Sequence, residues 1–182
     1  YRRVRAGRLA VDCCESMAKR PWWFLYAARR TLTTALPALA PPDDAWAAGQ
    51  LKPEEVDLFM RLPPSERGHG VEVAKRVSRS SHGASSALVR AALLHDVGKL
   101  GFDSSVLERI GAHLLPGAAV PAEPRLTGLA GARQARIHHP AYGEALVLAA
   151  SGDRRVAELV RRHHEPGDDE EARVLHDCDE LT

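Results

Sequence analysis

Residues 84–100 read ASSALVRAALLHDVGKL. Apart from Arg90, positions 87–94 are all apolar, and such a run forms a helix buried on most sides. His95 and Asp96 stand at its end. A carboxylate withdrawn from water costs several kcal/mol unless it is paired, and a buried imidazole needs a partner. The chain must therefore fold so that compensating groups from distant segments arrive at the end of one buried helix. That requirement narrows its architecture more than any other feature.

The remaining segments also read as helix, and no alternating strand pattern occurs. Expected helices cover residues 4–19 (VRAGRLAVDCCESMAK) and 22–36 (WWFLYAARRTLTTAL), followed by a proline-rich break at ALAPPDD. Pro53 suits the first turn of PEEVDLFMRL, with Glu54 and Glu55 near its positive end. PPSER then leads into GHGVEVAKRVSRS. Ser104 is expected to cap SVLERIGAHLL, and residues 116–126 form a Pro/Gly-rich loop. Pro140 is expected to open PAYGEALVLAA, which ends at Gly152, and Asp153 to cap RRVAELVRRHHE. The last segment is EEARVLHDCDELT. The expectation is an all-α helical bundle: an N-terminal helical extension over residues 1–52 and a main domain over residues 53–182.

The histidines take positions on this map. His69 shares an inward face with Val73 and Val77. His139 precedes Pro140, His163 and His164 follow Val156, Leu159 and Val160, and Asp179 follows Val174 and Leu175. Imidazoles and carboxylates from facing helices are how bundle cores build metal sites, and a divalent cation would compensate Asp96 and Asp179. Nitrogen and oxygen donors suit iron, manganese, zinc or cobalt. His82, His113, His138 and His176 read as ordinary structural or surface histidines.

The order His69, His95-Asp96, Asp179 resembles the H…HD…D signature of the HD superfamily of metal-dependent phosphohydrolases. HDVGK resembles the H-D-[IV]-G-K branch, HPAYGEALVL its H-P-x-x-G-x-x-L segment, and VRRHHE its later H-H-E segment. The similarity covers about residues 55–182. It implies a first metal on His69, His95, Asp96 and Asp179. A second would share Asp96 and take His139 and His164, with His163 left open as an alternative. Two metals roughly 4 Å apart clamp a phosphoryl group and generate a hydroxide nucleophile. Asp96 is then the bridge, and Lys99 the residue toward the substrate phosphate. The implied substrate is a small phosphate ester or nucleotide. The D-G-x-G-Y-P loop of the subgroup that hydrolyses cyclic di-GMP is absent, because the chain runs HHEPGDDEEARV. The glutamate that trinuclear members carry four residues before the first histidine is Ser65 here. Two metals at most are expected. The same ligands also resemble those of HD-type di-iron oxygenases, and HD domains serve as nucleotide-sensing regulatory modules; both stand as alternatives.

Charge and cysteine content restrict the setting. The chain has 25 Lys and Arg against 24 Asp and Glu, a net charge of +1, so no general affinity for polyanions follows, and no stable nucleic-acid complex is expected. Cys13, Cys14 and Cys178 make neither a disulfide framework nor a thiolate zinc site, which fits a reducing cytoplasm. The apolar stretch PWWFLYAA is too short to span a bilayer. Its aromatics and flanking arginines are expected to pack as a lobe in preference to binding membrane or nucleic acid. The chain begins with Tyr1 in place of Met, as a trimmed chain would.

Overall fold

The structure, a computed structural model, describes residues 41–80, 83–114 and 119–182. The two helices expected over 4–19 and 22–36, and His82, lie outside the described residues.

Among the described residues there are eight α-helices and one 3₁₀ turn, and no strand. In order they are α1 (Asp44–Ala48), α2 (Pro53–Met60), α3 (Pro64–Ser80), α4 (Ser86–Leu94), the 3₁₀ turn (Val97–Lys99), α5 (Val106–Leu114), α6 (Gly128–Ser151), α7 (Arg154–Arg162) and α8 (Glu170–Glu180). α4 is the central helix and packs against α3, α7 and α8; α6 packs against α2, α5, α7 and the 3₁₀ turn. Phe59, Val73, Val77, Leu88, Leu93, Leu94, Leu159 and Leu175 are among the buried side chains that form one core. A fully buried residue of this size contributes about 1.5–3 kcal/mol, so α4 alone, through Leu88, Leu93 and Leu94, offsets much of the cost of the polar groups at its end.

Most helix ends follow from local chemistry. Ser85 accepts from Leu88 N–H, Asp153 from Val156 N–H and Asp169 from Ala172 N–H, each an N-cap bond. Gly152 closes α6 in the left-handed conformation at φ 65°. Three boundaries differ from the sequence expectation. α3 begins at Pro64, because proline fits a first helical turn, so PPSER lies largely within the helix. The cap of α5 is Ser105, not Ser104: Ser105 Oγ accepts from Glu108 N–H at 3.3 Å and Glu108 Oε2 accepts from Ser105 N–H at 2.7 Å, a capping box. Pro140 does not open a helix. α6 starts twelve residues earlier, at Gly128, and carries Pro140 in its interior.

A buried ion pair joins the outer helices to α4. Glu55, wholly buried, accepts from both Arg90 Nε (2.7 Å) and Arg90 Nη2, and from Ser151 Oγ (2.8 Å). Arg90 Nη1 reaches Asp153 at 3.0 Å. Glu55 is therefore more than a favourable charge at a helix N-terminus; it links α2, α4, α6 and the cap of α7. Ahead of α2, Asp43 pairs with Lys75 at 2.6 Å and Asp44 with Arg67 at 2.9 Å, which tie α1 to α3. Gln134, also wholly buried, holds the loop before α6: its side-chain N–H groups reach the carbonyls of Pro121 and Pro124, and its oxygen accepts from Leu126 N–H.

Candidate metal centre

Helical periodicity brings the polar groups to one place. On α3, Glu66, His69, Val73 and Val77 form one stripe with its polar end first. On α7, Val156, Leu159, Val160 and His163 follow the i, i+3, i+4, i+7 spacing of a buried face. On α8, Ala172, Leu175 and Asp179 do the same. α4 ends at Leu94, where the apolar run ends, so His95 is its C-cap and Asp96 caps the 3₁₀ turn. The C-terminal turns of α4, α7 and α8 all deliver side chains here. The partial negative charge of a helix C-terminus favours a cation.

Two groups of donor atoms result, each within 4.8 Å: His69, His95 and Asp96, and His139, His163 and His164. Asp179 joins the first, with Oδ1 at 2.8 Å from His69 Nε2 and 3.5 Å from His95 Nε2. Asp96 stands between the groups. Its Oδ2 is 3.4 Å from His95 Nε2, and its Oδ1 is 3.4 Å from His139 Nε2. His95, Asp96, His139 and His163 are buried and His164 is exposed. All six ligand positions expected from the sequence thus come together, and His163 comes with them.

Each buried imidazole is oriented by its other nitrogen. A carbonyl only accepts, so a ring nitrogen bonded to one carries the proton. His95 Nδ1–H donates to Ala92 O at 2.8 Å and His163 Nδ1–H to Val160 O at 2.7 Å. Both acceptors lie in a last helical turn, where carbonyls lack intrahelical partners. His139 sits mid-helix, where no such carbonyl would ordinarily exist. Pro140 supplies the exception. Lacking an N–H, it leaves Arg136 O without its helical donor, and His139 Nδ1–H reaches Arg136 O at 3.2 Å and Ala135 O at 2.9 Å. In all three residues Nε2 therefore faces the centre as the donor atom, the arrangement usual for metal-binding histidines.

The donor set fits divalent cations on two further observations. His95 Nε2 is buried without a hydrogen-bond partner, close to two carboxylates but not aligned with either. His139 Nε2 and His163 Nε2 face each other at 3.1 Å. Burial pushes His139 down to about 4 and His163 well below the ordinary histidine value. At neutral pH two lone pairs then oppose each other, an arrangement that a shared cation relieves. Burial also opposes protonation of His95, yet the Asp96 and Asp179 carboxylates outweigh it and raise His95 to about 9. Burial would raise Asp96 and Asp179, but Lys99 and His95 hold Asp96, and His95 and His69 hold Asp179, well below the usual carboxylate range. A proton on His95 and the Lys99 ammonium thus balance the carboxylates when no ion does.

Lys99 Nζ lies 2.6 Å from Asp96 Oδ2 and 3.4 Å from Glu66 Oε2. Arg109 Nη1 approaches the other oxygen of Glu66 at 3.3 Å. Sequence reasoning passed over Glu66 and Arg109, although Glu66 lies three residues before His69 on the same stripe. It placed His164 ahead of His163, although His163 alone continues the i+7 spacing from Val156. His138 and His176 hold backbone carbonyls, Val120 O at 2.7 Å and His163 O at 2.9 Å; the latter bond fastens α8 to the ligand-bearing end of α7.

Two close approaches set the spacing. A Cβ on Gly70 would meet Leu93 O at 2.9 Å, so α3 crosses α4 beside His69 and His95 with no room for a side chain. A Cβ on Gly98 would lie 1.9 Å from His139 O and 2.6 Å from Gly143 N. The 3₁₀ turn therefore rests directly on the backbone of α6, next to His139.

Among the described residues no helix is long and apolar enough to cross a membrane. No curated protein and no solved structure matches the chain. The family model described as HD domain matches residues 67–182, a span that begins just before His69 and includes every residue of the two donor groups. The chain belongs to the HD domain family, an all-helical family whose members are mostly metal-dependent phosphohydrolases.

Proposed function

We propose that the protein is a metal-dependent phosphohydrolase that cleaves a phosphomonoester or phosphodiester bond in a nucleotide-like substrate. The observation that carries the reading is Asp96, whose two oxygens face opposite donor groups while Lys99 pairs with one of them. His69, His95, Asp96 and Asp179 would hold one divalent cation; Asp96, His139, His163 and His164 would hold the other. Such a pair of cations, when bound, supplies charge neutralisation at the phosphoryl group and acidification of water.

The chain's own residues supply the rest. Asp96 spans the two groups and keeps them in register. The backbone bonds of His95, His139 and His163 fix each ring, so little reorganisation accompanies ion binding. Lys99, on the 3₁₀ turn, offers a flexible ammonium beside Asp96 for a substrate phosphate oxygen. This cation favours phosphate chemistry over oxidation of a neutral substrate. Purification without chelator, metal analysis, and assay of generic phosphodiester and nucleotide substrates with added Mn, Fe, Co or Zn test the reading. Wild type should bind transition metal and turn over, and Asp96→Ala should do neither. Less than one equivalent of metal together with no hydrolysis would refute it.

A further inference from the structure

Glu66, Lys99 and Arg109 form a cluster that the ligand set does not use. Glu66 lies between the two cations, at 3.4 Å from Lys99 and 3.3 Å from Arg109, and its side chain is only 12% exposed. Arg109 is 44% exposed and comes from α5, a helix that contributes no ligand. Both contacts are longer than an optimal charged hydrogen bond. One carboxylate thus draws an ammonium and a guanidinium to the same place. Asp96 also pairs with Lys99, at 2.6 Å, and joins this cluster to the donor groups. Glu66, Lys99 and Arg109 between them carry one negative and two positive formal charges. A planar, half-exposed guanidinium next to an ammonium suits the oxygens of a phosphate group.

We propose that Lys99 and Arg109, set side by side by Glu66, form an anion subsite at the rim of the metal centre. It takes a second phosphate group of the substrate, so the preferred substrates carry two adjacent phosphates instead of one. The inference rests on the metal-centre reading above and deepens it. Lys99 meets the phosphate nearer the donor groups, Arg109 the one farther out, and Glu66 is a positioning residue.

Calorimetric binding of adenosine monophosphate and adenosine diphosphate at fixed free Mn²⁺ tests this on the whole chain. Wild type should bind the diphosphate about tenfold more tightly, as one added charge-assisted contact provides. Arg109→Gln should bring the two affinities together, and Arg109→Lys should restore part of the difference. Arg173→Gln removes the same charge from the N-terminal part of α8, where Arg173 pairs with Asp168, and should leave the ratio unchanged. Equal ratios in wild type and Arg109→Gln would overturn the subsite, as would an equal effect of Arg173→Gln or no binding of either nucleotide. Failure of the two readings is distinguishable. A ratio that depends on Arg109 without hydrolysis of any ester removes the catalytic reading alone; hydrolysis with a ratio indifferent to Arg109 removes the subsite alone.

Discussion

Ion binding at the centre should release a proton at one donor group and none at the other. The perturbation is pH. His95, raised to about 9 by Asp96 and Asp179, is almost fully protonated at pH 7 without an ion. A ligand nitrogen cannot keep that proton, so the ion on His69, His95, Asp96 and Asp179 must displace it. Its apparent affinity should fall tenfold per unit as the pH drops from about 9, which amounts to about 2.7 kcal/mol over the two units to pH 7. The carboxylates release nothing, since both lie well below the usual range. His139, lowered to about 4 by burial, and His163, lowered further, are already neutral, so they give up no proton until the solution is strongly acidic. Titration calorimetry in two buffers of different ionisation enthalpy counts the protons. About one should leave with the ion that takes His95. Stability changes in the matching sense. A histidine whose folded value is raised contributes stability in full below the unfolded value of about 6.5 and loses it as pH rises through the folded value. Chelator-treated protein should therefore weaken by about 3 kcal/mol between pH 6.5 and pH 10, while the loaded protein should not show that loss. Full binding at pH 7 with no proton released, and an affinity flat from pH 7 to 9, would refute the electrostatic account.

Two substitutions separate stability from ligation. Glu55→Gln leaves Arg90 buried with Asp153 as its remaining carboxylate, and urea unfolding should show a loss of roughly 3 kcal/mol, the low end for a broken buried pair; an unchanged midpoint would contradict it. Pro140→Ala should do the reverse. Restoring a helical N–H to Arg136 O removes an interior proline that costs a helix up to about 3 kcal/mol, so the melting temperature should hold or rise. Competition for that carbonyl should at the same time loosen the His139 ring and weaken metal affinity about 10–100-fold, the usual effect of losing an orienting bond. A parallel fall in both quantities would refute the assignment.

The parts legible in the sequence were those with a local cause. Asp153 and Gly152 announce the α6–α7 junction through cap chemistry, and the apolar run before His95 announces α4. The expected ligand residues were legible as a set because their order matches a family signature; His69 and Asp179 also sit where helix periodicity faces inward, whereas His164 is exposed. Pro140 was misread for a physical reason. Local propensity treats proline as a helix start or stop, whereas here packing of α6 on α7 and the 3₁₀ turn carries the helix through it. His163 was present in the periodicity and outweighed by the motif reading. Arg109 had no local signal, because its contact with Glu66 joins residues 43 positions apart on helices whose juxtaposition only the tertiary fold supplies.

The contact of Gly98 with His139 O and Gly143 N has a consequence for how the family's chemistry tolerates change. The gap between the turn that follows Asp96 and the backbone of His139 is measured by peptide units, not by side chains. Core residues such as Val147, Leu159 or Leu175 are exchangeable for others of similar volume, at small cost in stability and with little effect on that gap, because none of them is the spacer. The centre is in this sense insulated from drift in the core around it. Sequence variation can re-tune how firmly the bundle holds together while the placement of His139 against Asp96 stays calibrated by the thickness of the main chain.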